Sequence, residues 1–393
     1  MSDPIVIVSA ARTPMGGMMG SLSSLAAHEL GAAAIKAAIE RAGIEPGQVE
    51  EVIMGNVLQA GQGQAPARQA ALGAGLPQGV ACTTIHKVCG SGLKAAMFGH
   101  DLIAAGSASV VVAGGQESMS NAPYLLLRGR QGYRYGHDKV YDHMALDGLE
   151  DAYDRGKAMG VFAEDCAAKY SFTREQQEAY TIESLRRANA AIAAGDFKWE
   201  ITPVTVAGRK GDTVIDTDEA PGKAIPDKIP TLKPAFKKDG TITAATSSSI
   251  SDGAAAVVLM RASTAAKLGA KPLARIVAHS QHSQEPEWFT TAPVGALKSL
   301  FAKTGWKPED VDLYEINEAF AVVAMAAMKD FKLDHAKVNL HGGATALGHP
   351  IGASGARLLT TLLGGLRKTG GKRGVATLCI GGGEAVAMGI EML

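Results

Sequence analysis

The amino-acid sequence predicts an α/β protein composed of two similar halves, with a segment inserted in the first half. Apolar strand-like segments alternate with helical segments from residue 4 to residue 113, a pattern typical of a sheet covered on both faces. The same order of segments returns after residue 271. Between residues 118 and 245 the alternation stops, and turn-forming and charged residues become frequent, which indicates an insertion.

The segments of the first half carry recognisable start and stop signals. The opening run PIVIVSAA is apolar enough for a buried strand, and the helix after it stops at Gly43, a residue suited to a helix C-terminus. The run GAAAVVLM returns to this half after the insertion. We predict strands at 4–11, 49–57, 81–85, 109–113 and 253–260, helices at 26–43, 66–73 and 93–105, and an exposed helix at 179–194 in the insertion.

The second half repeats the first in sequence. Its opening strand at 273–278 matches the strand at 4–11, and residues 298–311 share four residues with 36–49 at a constant offset of 262. The turn Ala353-Ser354-Gly355 follows Gly90-Ser91-Gly92 at an offset of 263. The strand TLCIGG aligns with VVVAGG at an offset of 267, which pairs Cys379 with Val112. These matches occur in the same order, so we infer an internal duplication.

The charge balance argues against nucleic acids and membranes as partners. The chain carries 39 basic and 39 acidic residues, so no overall field attracts polyanions. No apolar run approaches the roughly 20 residues of a membrane span. The N-terminal run MSDPIVIVSAARTP lacks the pattern of a signal peptide, so we expect a cytoplasmic protein.

Four cysteines occur, at positions 82, 89, 166 and 379, without a CxxC pair or zinc-finger spacing. We therefore expect reduced thiols and no metal site. Cys89 lies in HKVCGSGLKAA, between a predicted strand and a predicted helix. The glycines permit a tight turn, and the free N–H groups of a first helical turn favour negative charge on sulfur. The pattern is typical of a nucleophile, which makes acyl transfer a candidate chemistry.

Five motifs in a consistent order resemble the thiolase family: VCGSGLKA, NEAFA, ALGHPIGASGA, CIGGG and GGGEAVAMGIE. The resemblance implies a thiolase fold with five layers, α-β-α-β-α, and acyl-CoA substrates. Coenzyme A would be substrate and product, with no other cofactor. It also implies self-association as a homotetramer or a homodimer, of which we expect the homotetramer, built as a dimer of dimers. The expected domains are an N-terminal half (1–117 plus 246–270), an inserted loop domain for CoA binding and oligomerisation (118–245) and a C-terminal half (271–393).

The resemblance also implies catalytic roles. Cys89 would carry the acyl group, and His349, in GHP, would lower the pKa of the Cys89 thiol and take its proton. Cys379 would be the second acid and base. The N–H groups of Gly381 and Cys89 would form one oxyanion hole. Asn317 would hold a water that forms a second oxyanion hole with His349.

Further residues are expected to contact the CoA thioester. Ser248 falls where the family contacts the pantetheine arm, and Met159 where it borders the acyl pocket. Ala319 and Phe320 would line this pocket. Lys223 is one of four basic residues of the insertion that are candidates for binding the CoA phosphates, the others being Arg209, Lys210 and Lys228.

Several positions depart from the family pattern. Ala158 replaces a usual histidine, and Thr246 replaces the first residue of a usual Asn-Ala-Ser-Gly run. His86 and His341 stand where asparagine is common. We expect both to be neutral hydrogen-bonding substitutes; the alternative is that His86 tunes Cys89 and shifts the pH dependence.

The reaction that the resemblance implies is the reversible condensation of two acetyl-CoA to acetoacetyl-CoA and CoA. The alternative is a 3-ketoacyl-CoA thiolase of broader chain length, active in fatty-acid or aromatic-acid degradation, which shares every catalytic residue. A decarboxylating ketosynthase has histidine at the position of Cys379, so the CIGGG run argues against that class. A non-catalytic carrier of the same fold would lack at least one of the four catalytic side chains.

Overall fold

Strands and helices alternate in the structure much as the sequence predicts. The computed structural model describes residues 3–393. Its strands are β1 (Ile5–Arg12), β2 (Gly16–Gly17), β3 (Glu51–Gly55), β4 (Ala81–Ile85), β5 (Val110–Ser118), β6 (Tyr124–Leu125), β7 (Tyr141–Asp142), β8 (Val204–Val206), β9 (Thr213–Ile215), β10 (Ser251–Arg261), β11 (Ala274–Ser283), β12 (Leu313–Ile316), β13 (Arg373–Ile380) and β14 (Glu384–Met392). Its α-helices are α1 (Ala27–Ala42), α2 (Pro66–Gly73), α3 (Ser91–Ala105), α4 (Met159–Tyr170), α5 (Arg174–Ala194), α6 (Glu219–Lys223), α7 (Ala262–Leu268), α8 (Ala292–Thr304), α9 (Ala321–Phe331), α10 (Ala344–Leu347) and α11 (Ser354–Thr369).

The main sheet has ten strands and joins the two halves. Its order is β12-β13-β14-β11-β1-β10-β5-β3-β4, and β2 pairs with β10 at the side. Only two residue pairs, Val6 with Arg275 and Ile7 with Ala274, connect β1 to β11, so the sheet consists of an N-terminal and a C-terminal part. Helices α1 and α2 cover the outside of the first part, α8 and α9 the outside of the second, and α3 and α11 lie between them. The five-layer prediction is confirmed.

The strand registers correct the predicted correspondence of Cys379 with Val112. Strands β1, β10 and β5 of the first half correspond to β11, β14 and β13 of the second half. When positions are counted along these paired strands, Gln116 of β5 is the counterpart of Cys379 of β13. The prediction failed because it aligned two glycine pairs with different roles. Gly114-Gly115 lies within β5, where a Cβ on the first glycine would approach the facing strand to 2.1 Å, whereas Gly381-Gly382 follows the end of β13. The corrected offset, 263, equals that of the Gly-Ser-Gly turn.

The two central helices cross where each carries a glycine. A Cβ on Gly92 would lie 2.7 Å from the nitrogen of Ala356, and a Cβ on Gly355 would lie 2.3 Å from the nitrogen of Leu93. Only glycine permits such a close approach of two backbones. Because the duplication makes these two glycines equivalent, α3 and α11 pack through matching positions.

Helix α5 differs from its prediction as an exposed helix. It begins at Arg174, and one face buries Tyr180, Leu185 and Ala188. The latter two pack with residues of α10. The charged residues on the opposite face made the sequence look solvated throughout. Within residues 3–393, no helix combines the length and apolar character needed to cross a bilayer.

Candidate active site

A strained turn between β4 and α3 holds Cys89. Val88, the residue before it, has φ of 45°, a left-handed conformation that β-branched residues rarely adopt. The Lys87 N–H donates to Ser91 Oγ at 2.9 Å, and Ser91 Oγ donates to the Val88 carbonyl at 2.6 Å. The Val88 N–H donates to His86 Nδ1 at 3.2 Å. These bonds stabilise the turn and fix Cys89 two residues before α3 begins.

Cys89 faces a cavity of about 360 Å³ with mostly apolar walls. Both halves and the insertion contribute to it, which explains why no single sequence segment outlines it. A small apolar cavity with a few polar groups is typical of a site for a small acyl group. The cavity brings together seven of the residues predicted from the sequence, namely Cys89, Met159, Ser248, Ala319, Phe320, His349 and Gly381.

His349 is held in one orientation by the turn that precedes α11. Its Nδ1 lies 2.5 Å from Ser354 Oγ, which donates in turn to the Pro350 carbonyl at 2.9 Å. Because the serine hydrogen is used on this carbonyl, Nδ1 carries the imidazole proton and Nε2 has the free lone pair. Asn317 Nδ2 lies 3.4 Å from that Nε2. His349 is therefore oriented as a base at Nε2.

Cys379 and Asn317 are fully buried beside the cavity rather than in its wall. Cys379 is part of an apolar cluster with Phe289, Phe320 and Met159. Asn317 follows β12, and its Oδ1 has no hydrogen-bond partner among the described protein atoms. The site thus contains a second thiol and an unpaired amide oxygen next to the acyl cavity.

Burial sets the protonation states of the three central groups. It raises the pKa of the Cys89 thiol to about 11, against the opposing effect of the backbone N–H groups of Gly381 and Cys89. Burial and the nearby Cys89 hold the pKa of Cys379 well above its usual range. Burial, and secondarily the charge of Arg357, lowers the pKa of His349 to about 3. At neutral pH both thiols are protonated and the imidazole is neutral.

This result corrects the expectation that the helix start and His349 would lower the pKa of the Cys89 thiol. The N–H groups that favour the thiolate are those of Gly381 and of Cys89 itself, not of the first turn of α3, and desolvation outweighs them. A neutral thiol beside a neutral imidazole can still react, because the base can take the proton as sulfur attacks.

Comparison with known proteins decides the family. The model of the thiolase N-terminal domain matches residues 5–263, and that of the thiolase C-terminal domain matches residues 270–392. The chain belongs to the thiolase family. An Arabidopsis thaliana protein named acetyl-CoA acetyltransferase 2 is 53% identical over 99% of this thiolase and 97% of its own length. An acetyl-CoA acetyltransferase of Cupriavidus necator is 52% identical, with both chains fully covered.

A solved structure gives the same result for the fold. The crystal structure of the Acat5 thiolase from Ascaris suum in complex with coenzyme A superposes with a TM-score of 0.94 and 44% identity. The match covers 99% of this thiolase and 100% of the Ascaris chain. Fold and family are therefore established over essentially the whole length.

Several of the residues singled out in the sequence lie outside the acyl cavity, and the prediction that basic residues of the insertion bind the CoA phosphates stays a prediction. Lys223 does not line the cavity; its Nζ binds Glu219 on the same short helix. The other three basic candidates are exposed and also absent from the cavity wall. His341 lies 3.6 Å from Asp196 and packs on the edge of Phe197, away from the cavity. The imidazole at position 341 is thus a local packing group.

Several groups that complete the cavity and its support were not predicted from the sequence. Phe236, from an irregular segment, and Phe289, from a short 3₁₀ helix, are aromatic wall residues that no motif marks. The buried Glu117 accepts from the N–H groups of Val57, Leu58 and Gly352 at 2.9–3.0 Å, and so ties the two halves together beneath Cys89. The sequence carries a signal for it, since Glu117 is an acidic residue that continues the apolar run of β5 and lies within that strand.

Glu318, the residue after Asn317 in the NEAFA motif, is the hub of a buried hydrogen-bond network. It accepts from Tyr180 at 2.9 Å, from Asn339 at 2.7 Å and from the Thr345 hydroxyl at 2.6 Å. These partners come from α5 of the insertion, from the loop before α10 and from α10 itself, so Glu318 fixes the segment that carries Asn317. We assign it a positioning role in the arrangement.

Proposed function

We propose that this thiolase condenses two acetyl-CoA molecules reversibly to acetoacetyl-CoA and CoA, as an acetyl-CoA C-acetyltransferase. The observation that carries the proposal is the placement of Cys89, His349 and the Gly381 N–H in one small apolar cavity, with Cys379 buried beside it. The names of the Arabidopsis and Cupriavidus relatives support acetyl-CoA as the substrate.

Acylation begins from the neutral pair. Cys89 Sγ attacks the thioester carbonyl of acetyl-CoA while His349 Nε2 accepts the thiol proton. The N–H groups of Gly381 and Cys89 stabilise the oxygen that becomes negative. When the tetrahedral intermediate collapses, the carbon–sulfur bond to CoA breaks and Cys379 donates its proton to the departing thiolate. Acetyl-Cys89, a protonated His349 and a Cys379 thiolate remain.

Condensation uses the Cys379 thiolate and the proton on His349, both of which remain from acylation. Burial that disfavours the Cys379 thiolate makes it a strong base, which removes a methyl proton from the second acetyl-CoA. Protonated His349 and Asn317 stabilise the enolate oxygen. The enolate carbon attacks the acetyl carbon on Cys89, the sulfur–carbon bond breaks, and His349 returns its proton to Cys89. Each proton in this scheme has a side-chain donor and acceptor, and coenzyme A is the only carrier of acyl groups.

The cavity wall supports a short acyl chain rather than the broader specificity. Phe320 contacts both Phe236, with ring centroids 5.9 Å apart, and Phe289, with centroids 6.4 Å apart. Together with Met159 they fill the side of the cavity next to Cys379. Longer 3-ketoacyl chains would have to displace this packed aromatic wall.

The test distinguishes the roles of the two thiols and measures the preference for acyl chain length. Incubation with radiolabelled acetyl-CoA labels the wild type and the Cys379→Ser variant, which accumulates acetyl-enzyme without condensing it; Cys89→Ser takes no label. Cys82→Ser, a half-buried thiol on β4, is the matched control and keeps label and rate. Thiolysis of the C4 3-ketoacyl-CoA exceeds that of the C8 compound by at least about tenfold in kcat/KM. Full thiolysis by Cys89→Ala, or a preference for C8, contradicts the proposal.

We also infer the division of the chain and its setting. The proposed units are the N-terminal half (1–117 plus 246–270), the inserted loop domain (118–245) and the C-terminal half (271–393). Exposed apolar side chains at Tyr124, Leu126 and Leu127 in the insertion support self-association as a homotetramer. Four unpaired cysteines support a reducing compartment, the cytoplasm, and the reaction supports a role in lipid metabolism.

A further inference from the structure

Three metal-ligating side chains meet on the surface, away from the acyl cavity. Asp101 Oδ1 lies 3.1 Å from His100 Nδ1 and 2.8 Å from His279 Nε2. One potential ligand atom from each residue lies within 4.8 Å of the other two. His279 is 178 residues from Asp101 in sequence, so no spacing motif announces the cluster.

We propose that His100, Asp101 and His279 form a binding site for a divalent transition-metal ion, with Zn²⁺ as the best fit. Two imidazole nitrogens and one carboxylate oxygen are ligands that zinc accepts, and three protein ligands leave a position for water. Tetrahedral bonds of 2.0–2.2 Å place ligand atoms about 3.4 Å apart. The separations of 3.1 and 2.8 Å therefore need to open by about 0.3 and about 0.6 Å.

The cluster is preorganised for this change. The two imidazole rings stand edge to face at 85°, with centroids 5.1 Å apart, so they approach the carboxylate from different directions. Both nitrogens donate to Asp101, because a carboxylate only accepts. Metal binding requires each ring to present a lone pair instead, and each proton moves through solvent to the other ring nitrogen. The imidazoles are mostly covered, with 22% and 16% of their side-chain surfaces exposed, while Asp101 is 53% exposed and gives access.

The neighbouring lysine side chains do not bind the Asp101 carboxylate. Lys94 Nζ donates to Gln281 Oε1 at 3.1 Å, and Lys303 Nζ donates to the His279 carbonyl at 2.8 Å. Neither lysine forms an ion pair with Asp101 in the described residues. Their charges reduce the affinity for a cation without blocking the ligand atoms.

A metal ion at this position would connect two separate parts of the fold. His100 and Asp101 belong to α3 of the N-terminal half, and His279 belongs to β11 of the C-terminal half. His100 lies nine positions after Ser91, the first residue of α3, which is about 14 Å along the helix. A bound ion would therefore join the two halves at the end of α3 opposite Cys89. The inference is independent of the proposed acyl transfer.

The test is zinc binding by the full chain, free of any histidine tag, in a Cys89→Ser background that removes the reactive thiol as a competitor. Titration calorimetry and thermal unfolding with ZnCl₂ are expected to show one site and a rise in Tm. His279→Gln and Asp101→Asn weaken zinc binding by at least about tenfold and abolish the rise in Tm. Loss of a residue that only hydrogen-bonds a metal ligand already weakens binding by about tenfold or more, and loss of the ligand itself has a larger effect. His137→Gln, an exposed histidine elsewhere, is the matched control and behaves as the parent.

Binding of cobalt(II) in place of zinc identifies the ligand atoms. The expected visible spectrum is that of nitrogen and oxygen ligands, without the intense charge-transfer band of a cobalt–thiolate bond, and it disappears in both site variants. Zinc affinity that is equal in the parent, His279→Gln and Asp101→Asn overturns the proposal. So does a rise in Tm that occurs only together with a zinc-dependent increase in molecular mass, since that indicates a site between copies.

Discussion

At the scale of single residues, the turn at the nucleophile depends on an imidazole at a position where the family commonly has asparagine. His86 Nδ1 accepts the N–H of Val88, whose left-handed backbone is otherwise unfavourable. Asp147 and His143 both influence His86, the first favouring and the second opposing a positive charge. An acceptor nitrogen that can itself be protonated makes the turn sensitive to acid.

The pH profile of acylation tests this dependence. Burial lowers the pKa of His86 from its ordinary value of 6.5, so the neutral acceptor prevails at neutral pH. As pH falls through that lowered pKa, protonated Nδ1 no longer accepts, the Val88 N–H loses its partner, and acylation slows on the acid side of neutrality. His86→Asn keeps an acceptor oxygen at every pH, so its acid limb moves to lower pH. The measurement is the rate of CoA release in a single acylation, followed by stopped flow.

The second histidine that departs from the family pattern is the control for this experiment. His341→Asn changes a side chain outside the cavity and is expected to leave the profile of acylation as in the wild type. Superimposable profiles for wild type and His86→Asn would mean that the turn does not need the imidazole. A shift in His341→Asn as large as that in His86→Asn would assign the effect to general stability.

At the scale of elements, the crossing of α3 and α11 positions both halves of the site. Cys89 precedes α3 and His349 precedes α11, so the separation of these helices at Gly92 and Gly355 sets the separation of nucleophile and base. Intrinsic propensity favours alanine over glycine in a helix by about 1 kcal/mol. The close backbone contact opposes this preference. The larger of the two effects decides whether replacing the glycine with alanine stabilises or destabilises the fold.

Gly355→Ala is expected to lower the free energy of unfolding by about 1–3 kcal/mol, because its Cβ would meet a backbone nitrogen that cannot move alone. Urea unfolding measures the change. Gly222→Ala in α6 is the matched control: no atom lies within 4 Å of the added methyl, so the variant is unchanged or slightly more stable. Equal stability of Gly355→Ala and wild type would show that the helices separate at little cost.

The elements also show what sequence can predict. The bounds of α2 and β4 match the prediction residue for residue, since proline, glycine and β-branched residues mark their ends. The fold class and the positions of Cys89 and His349 followed from motifs that are local in sequence. The wall residues Phe236 and Phe289 did not, because their role arises from contacts between distant segments. The pKa of Cys89 depends on burial, which a motif does not encode.

At the scale of the whole molecule, a buried arginine fastens the insertion to the N-terminal half. Arg12, at the end of β1, has no exposed surface and binds Glu200 at 2.5 Å and both oxygens of Asp218 at 2.7 and 2.8 Å. Thr361 on α11 donates to Glu200 at 3.1 Å. One network thus connects β1, the insertion and the central helix layer.

Removing this arginine leaves two buried carboxylates without their counter-charge. Arg12→Ala is therefore expected to lower the free energy of unfolding by about 3–5 kcal/mol. The exposed insertion residue Arg186 also makes two bonds to one carboxylate, that of Glu183, and Arg186→Ala should lower the free energy of unfolding far less than Arg12→Ala, because solvent replaces the pair. Urea unfolding compares the two variants, and limited proteolysis reports whether the insertion opens first. Similar losses in both variants would show that the network at Arg12 does not connect the insertion to the fold, because burial is what separates the two arginines.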